Sequence, residues 1–285
     1  MELNMKSFLK LAEEQKQLDE ALITFGGRAY PKFGQVVILA GGAGSGKGFT
    51  LGKLLGIEGQ VMDVDALKGL VMKSNQLAVA IKKKTGHDVK TMDLRNPDNV
   101  AMMHHIVANE FNITDKTQRR VFSGITSADK DRKPNLIFDV TLKGMSKLAS
   151  IARDVETLGY EKENIHIVWV MNDVHVAIEQ NAKRSRVVPK EILMDTHEGA
   201  ALTMAKILNM GDQLKQYMDG DIWISFNKAG IDSEIKKSGN GGMFVVKSGY
   251  VKVKAKGKQQ KSVEELDQEI VKKISAYAPK TDTWG

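Results

Sequence analysis

Apolar positions along the chain fall into two rhythms. Four runs are continuously apolar and bounded by turn or polar residues: Gln35-Val-Val-Ile-Leu39, Pro134-Asn-Leu-Ile-Phe-Asp-Val-Thr141, Asn164-Ile-His-Ile-Val-Trp-Val-Met171 and Gly220-Asp-Ile-Trp-Ile-Ser-Phe226. Runs of that length and β-branched content predict strands buried on both faces, as in a parallel sheet. A shorter run, Gln60-Val-Met-Asp-Val-Asp65, ends in two carboxylates. Helical spacing predicts helices over Phe8–Leu22, Phe49–Leu55, Ala66–Thr85, Asn99–Asn112, Met145–Leu158, Val174–Arg186, Pro189–Lys206 and Leu208–Met218. Strand and helix alternate, so the expected fold is α/β: a doubly wound parallel sheet with helices on both faces.

The pattern changes near the C-terminus. Lys236 to Lys261 holds eight lysines and no acid. Met243–Val246 and Tyr250–Lys256 predict two strands around Ser248-Gly249, hence a small β-hairpin. Leu266, Ile270 and Ile274 share one face of a helix predicted over Glu264–Tyr277, and a tail follows Pro279. The expected division is an N-terminal helix and turn over 1–33, a main domain over 34–228, and the basic hairpin with its helix over 229–285.

Composition narrows the setting. The chain has 285 residues, no cysteine, a net charge of +7 and a pI near 9.3. Disulfides are excluded, and a reducing cytoplasm is the expected location. No apolar run reaches about 18 residues, so neither a membrane span nor a membrane partner is expected. The N-terminus lacks the basic-then-apolar order of a signal peptide. Positive charge suits phosphate-rich ligands, nucleic acid among them. Oligomeric state is not legible. The adjacent His104 and His105 point about 100° apart on a helix, the wrong spacing for a metal pair, and are read as surface or packing residues.

Candidate chemistry concentrates in Ala40–Thr50, AGGAGSGKGFT, between an apolar strand and a helix start. Gly41, Gly46 and Lys47 fit the G-x-x-x-x-G-K phosphate-binding loop. Glycines let successive N–H groups turn into one concavity, and the helix N-terminus adds positive potential there. Gly41, Gly42, Ala43, Gly44, Ser45, Gly46, Lys47, Gly48 and Phe49 are therefore the expected binding residues for ATP or another nucleoside triphosphate. The Ser/Thr that would ligate Mg²⁺ after the lysine is replaced by Gly48. Thr50 lies about 200° further round and does not simply substitute, whereas Ser45 sits inside the loop. The expected metal shell is therefore phosphate oxygens, water and a carboxylate elsewhere. A glycine-rich turn without ligand is the competing reading.

The loop, Met62-Asp-Val-Asp-Ala-Leu-Lys68, Asn135-Leu-Ile-Phe-Asp-Val-Thr-Leu-Lys143 and Lys183-Arg-Ser-Arg-Val-Val-Pro-Lys190 together resemble, in order and spacing, the zeta-toxin family of P-loop kinases, and more broadly phage-type P-loop kinases. The resemblance covers roughly residues 34 to 228. It implies a base on the acceptor hydroxyl at Asp65, a substrate contact at Asp63 and a metal or water ligand at Asp139. It also implies acceptor contacts at Thr141 and Lys143, and lid arginines at Arg184 and Arg186. Chemically, an aspartate beside the γ-phosphate orients an acceptor hydroxyl, and guanidinium forks match transferring phosphoryl oxygens. The competing readings are Asp63 and Asp65 as helix caps, Asp139 as a cap or loop acid, and the arginines as a solvated face.

The implied activity is transfer of the γ-phosphate to a hydroxyl of a small-molecule acceptor; the toxin members' acceptor is UDP-N-acetylglucosamine. A nucleic-acid acceptor is the alternative, on Lys252, Lys254, Lys256 and Lys258, which alternate along a strand, with Phe244 and Tyr250 for stacking. A solvated edge strand guarded by lysines explains the same residues. A third class is a nucleotide-dependent binding module with little turnover, which Gly48 keeps open.

Overall fold

The computed structural model describes residues 23–237, 243–262 and 265–278. The helix expected over Phe8–Leu22 and the tail from Pro279 lie outside the described residues. Five strands run parallel: β1 Val36–Ala40, β2 Gln60–Asp63, β3 Leu136–Asp139, β4 Ile165–Met171 and β5 Ile222–Phe226. Three more follow: β6 Glu234–Lys237, β7 Met243–Lys247 and β8 Gly249–Lys254. The main sheet has the order β2-β3-β1-β4-β5-β8, with β8 antiparallel on one edge. Continuous apolar sequence follows from double-sided burial: all of β1, β4 and β5 is buried.

The strand period of two sorts β1 between the faces. Val36, Ile38 and Ala40 join one apolar cluster, Val37 and Leu39 the other. The first face is covered by helix Met145–Thr157 through Leu148, Ile151 and Val155, by Lys190–Leu208 through Ala201 and Met204, and by Gln268–Tyr277 through Ile274. The second is covered by the segment after the glycine loop, through Leu54, Leu55 and Ile57, with Ile23 and Phe25. In chain order the helices are α1 Lys47–Lys53, α2 Val64–Lys73, α3 Asn75–Thr85, α4 Pro97–His105, α5 Ile113–Thr126, α6 Met145–Thr157, α7 Val174–Ala182, α8 Lys190–Leu208 and α9 Gln268–Tyr277.

Several expectations change here. The single helix expected over Ala66–Thr85 divides at Ser74, whose side chain accepts the Leu77 N–H and caps α3. Helix α4 continues as one π-turn, Ile106–Glu110, and α5 follows it. These helices share a separate apolar cluster around Val71, Ile81, Met103 and Ile106. Leu208–Met218 is largely a 3₁₀ turn over Gly211–Gln216.

The strands expected as a hairpin both form, yet do not pair with each other. β7 pairs with β6 in a two-stranded sheet, and β8 pairs with β5. Only Ser248 separates β7 from β8, one residue fewer than the shortest common hairpin loop. Val253 and Leu266 thereby enter the main core.

Lys252 and Lys254 of β8, and Lys256 just beyond it, are engaged within the chain. Lys254 is buried and paired with Asp219 at 2.7 Å. Lys252 lies 3.5 Å from Asp221 and over the Trp223 ring, and Lys256 donates to Asn164. Tyr250 meets Trp223 edge-on, and the Phe244 side chain lies outside the described residues.

Candidate active site

The glycine loop leaves the carboxyl end of β1 and enters α1. Gly46, at the N-cap, has φ 96° and ψ 22°, a left-handed conformation that glycine adopts without strain. A side chain at Gly46 would collide with Asn227, whose amide donates to the Ser45 carbonyl at 3.0 Å. At Gly41 a Cβ would stand 2.5 Å from the Val170 carbonyl. The loop thus sits in direct contact with the ends of β4 and β5.

Lys47 curls back over the loop. Its Nζ donates to the Gly41 carbonyl at 2.8 Å and stands 3.7 Å from Asp139 Oδ1. Asp139 closes β3, and its register neighbours are Leu39 on β1 and Asp63 on β2. Two carboxylates and one ammonium therefore lie along the same sheet end, as expected from runs that stop in acids. Asp65 lies in the first turn of α2; its side chain is outside the described residues. Thr141 follows β3 and its carbonyl accepts the Gly41 N–H at 3.4 Å.

Three expected residues stand differently. Lys143 is exposed and ion-paired with Asp195 on α8. Arg184 is exposed, whereas Arg186 is half-buried on the segment between α7 and α8. That segment is held by Asn181, which donates to the Val188 carbonyl at 2.7 Å and accepts the Val188 N–H at 3.0 Å.

Helix α8 supplies contacts that no sequence pattern flagged. His197 Nε2 lies 2.8 Å from the Ala43 carbonyl, and Thr196 Oγ1 accepts the Ala43 N–H at 3.1 Å. His197 is buried. Burial above all, with the nearby Lys47 charge, holds its pKa below the ordinary value, although the Ala43 bond acts in the opposite sense. A carbonyl oxygen can only accept, so Nε2 carries the hydrogen of that bond. Beyond the loop, Lys228 pairs with Asp173 at 2.7 Å, and this ion-paired hydrogen bond lowers the Asp173 pKa. The only sequence signal for His197 is one histidine in a helix otherwise rich in small and apolar residues.

The fit to a triphosphate rests on two observations. Ser45 is buried inside the loop, and its hydroxyl lacks a hydrogen-bond partner among the described residues. Lys47, at the helix N-terminus, is placed where phosphate charge would collect. For a cation the protein offers less. Among the described residues no cluster of three His, Asp or Glu is spaced to hold one. Nucleotide-borne Mg²⁺ needs fewer, since it keeps waters and phosphate oxygens and takes only one or two carboxylates. Thr50 is fully buried and does not replace the hydroxyl missing at Gly48. His104 and His105 are exposed on α4.

Sheet and loop together define a P-loop NTPase-like α/β fold. No family model matches the chain, and no curated protein matches it. Among solved structures, a complex of AvrRxo1-ORF1 and AvrRxo1-ORF2 with ATP shares 11% identity at a TM-score of 0.45, covering 100% of this chain and 80% of that one. The same complex with sulphate ions shares 13% at 0.43, covering 99% and 80%. A structure from the PezAT toxin-antitoxin system of Streptococcus pneumoniae shares 12% at 0.38, covering 87% and 81%. Likeness this loose carries no functional statement. Among the described residues no helix is long and apolar enough to cross a membrane.

Proposed function

We propose that the chain is a phosphotransferase that moves the γ-phosphoryl group of ATP, or another nucleoside triphosphate, to a hydroxyl of a small acceptor such as a nucleotide sugar. The observation that carries this reading is the position of Lys47, between the Gly41 carbonyl and Asp139 at the carboxyl end of the sheet. Its ammonium stands where phosphate oxygens could take the place of those neighbours. Loop N–H groups hold the phosphates in line. Asp65 orients the acceptor hydroxyl and takes its proton as the new O–P bond forms and the bond from the γ-phosphorus to the β,γ-bridging oxygen breaks. Asp139 would hold Mg²⁺, which when bound offsets charge on the transferring group, and Asp63 would contact the acceptor. Arg186 and Arg184 would close over that group.

The β8 lysines favour a small acceptor over a polynucleotide, because Lys252 and Lys254 already satisfy Asp221 and Asp219. A second reading, a nucleotide-dependent binding module with little turnover, draws on the missing hydroxyl at Gly48. Incubating the protein with γ-labelled ATP and separate pools of nucleotide sugars, nucleosides, DNA and RNA tests the choice. Label on a nucleotide sugar or similar small alcohol supports the kinase. ATP binding without label on any pool supports the binding module.

A further inference from the structure

A cavity opens at the opposite end of the sheet from the glycine loop. Gln35 and Asn164 directly precede β1 and β4, and with the loop 25–33 they line a cavity of about 880 Å³. Five residues of β1 separate it from the glycine loop, roughly 17 Å at about 3.3 Å per residue. The catalytic proposal uses none of its residues.

The lining is aromatic and cationic. Tyr30 and Phe33 are 55% and 47% exposed, unusual for large rings, and both face this cavity. Arg28 and Lys32 stand beside them, and neither side chain has a partner among the described residues. Lys256 also lines the cavity but is already bonded to Asn164. Among the described lining residues none is an aspartate or a glutamate.

The loop that carries these groups is tied down. Phe25 and Arg28 exchange backbone hydrogen bonds, the Tyr30 N–H donates to the Gly56 carbonyl at 2.6 Å, and the Pro31 carbonyl accepts from Asn135 at 2.6 Å. Tyr30 itself is held at φ 52°. A non-glycine residue kept in that region is strained by about 1 kcal/mol or more, and such strain collects at ligand clamps. A glycine would hold the turn without it.

We propose that this cavity binds a phosphorylated nucleoside, either free or as one unit of a single strand. The base would lie on Tyr30 and Phe33, and the phosphate between Arg28 and Lys32. Stacking on a ring is tolerant of base identity, and two unpaired cations supply the anion site. The volume falls within the range of ordinary small-ligand pockets.

The test uses the full chain with its glycine loop saturated by a non-hydrolysable ATP analogue, so that failure here leaves the kinase reading untouched. Binding is measured for fluorescent AMP, for a labelled single-stranded octanucleotide and for labelled poly-glutamate. The parent should bind one or both nucleotide probes, with affinity falling as salt rises. Arg28→Ser with Lys32→Ser should weaken that binding at least tenfold. Tyr30→Gly should weaken it severalfold while holding or raising the melting temperature, which a purely structural tyrosine would not do. AMP binding identifies a free nucleotide, and binding of the octamer alone identifies a strand. No binding of either nucleotide probe, binding indifferent to these substitutions, or equal capture of poly-glutamate would overturn the proposal.

Discussion

His197 Nε2 meets the Ala43 carbonyl at 2.8 Å, and the same ring occupies the space that a Cβ on Gly42 would need. The tip of the glycine loop is thus wedged against α8, whose N-terminus follows the segment bearing Arg184 and Arg186.

Gly42→Ala should therefore disturb the loop through the imidazole. ATP affinity is expected to fall about tenfold or more, and removing the ring should recover part of it. Titrating ATP into Gly42→Ala, His197→Ala and the double variant gives the coupling directly. Simple additivity of the two losses would show that the ring is not what Gly42 makes room for. His197→Gln, which keeps an amide donor, should bind ATP better than His197→Ala.

Gly48 has open space around its missing side chain: among the described residues, nothing beyond its chain neighbours and its own helix backbone lies within 4 Å of a Cβ built there. Gly48→Thr should fold and gain about 0.5 kcal/mol from the better helix former. It should also lower the Mg²⁺ concentration needed for transfer, because a hydroxyl replaces a water in the shell. Transfer present in Gly48→Thr and absent in the parent at every Mg²⁺ concentration would favour the binding module.

Much of the sheet end was legible before the structure, because buried parallel strands need unbroken apolar runs and their acids mark where burial stops. Asp63 and Asp139 were found that way. The helices over 64–126 were less legible: a single Ser74 cap divides what periodicity reads as one helix, and the helix over 113–126 was not anticipated although Val121, Phe122 and Ile125 share its core-facing side. The hairpin expectation failed on pairing, since sequence announces strands more clearly than partners. His197 and Asn181 were invisible for a related reason. His197 reaches a carbonyl 154 residues away and Asn181 the segment just past the end of its own helix, and helical periodicity encodes neither contact.

Asn181 illustrates the consequence. It is buried and clamps Val188 through two hydrogen bonds. Asn181→Ala should cost about 1 kcal/mol or more, because it takes the partner from the part-buried Val188 N–H and C=O. Limited proteolysis should become faster at Lys183–Arg186, and transfer should slow if the arginines close on the nucleotide. Unchanged cleavage there would show that the segment is held by something else.

His166 sets a pH dependence at the other end of the sheet. Its Nδ1 accepts the Asp221 N–H at 2.8 Å, its Nε2 lies 3.0 Å from Gln35 Oε1, and burial lowers its pKa to about 4 against the pull of Asp221. The unfolded chain binds this proton near pH 6.5 and the folded chain near 4, so stability falls as pH drops through that window. Melting temperature should decline between pH 7 and 5, and less steeply in His166→Gln. Equal slopes would remove His166 as the cause.

The most direct test of the catalytic assignment compares ATP binding with γ-phosphoryl transfer in Lys47→Ala and Asp65→Asn. Lys47 meets the phosphates in both ground and transition states, whereas Asp65 acts on the acceptor alone. Calorimetry should show ATP binding lost or greatly weakened in Lys47→Ala and retained within about twofold in Asp65→Asn. Transfer to the labelled acceptor should fall by about 100-fold or more in both. Asp65→Asn that still transfers at the parent rate, or that loses ATP binding together with Lys47→Ala, would contradict the account.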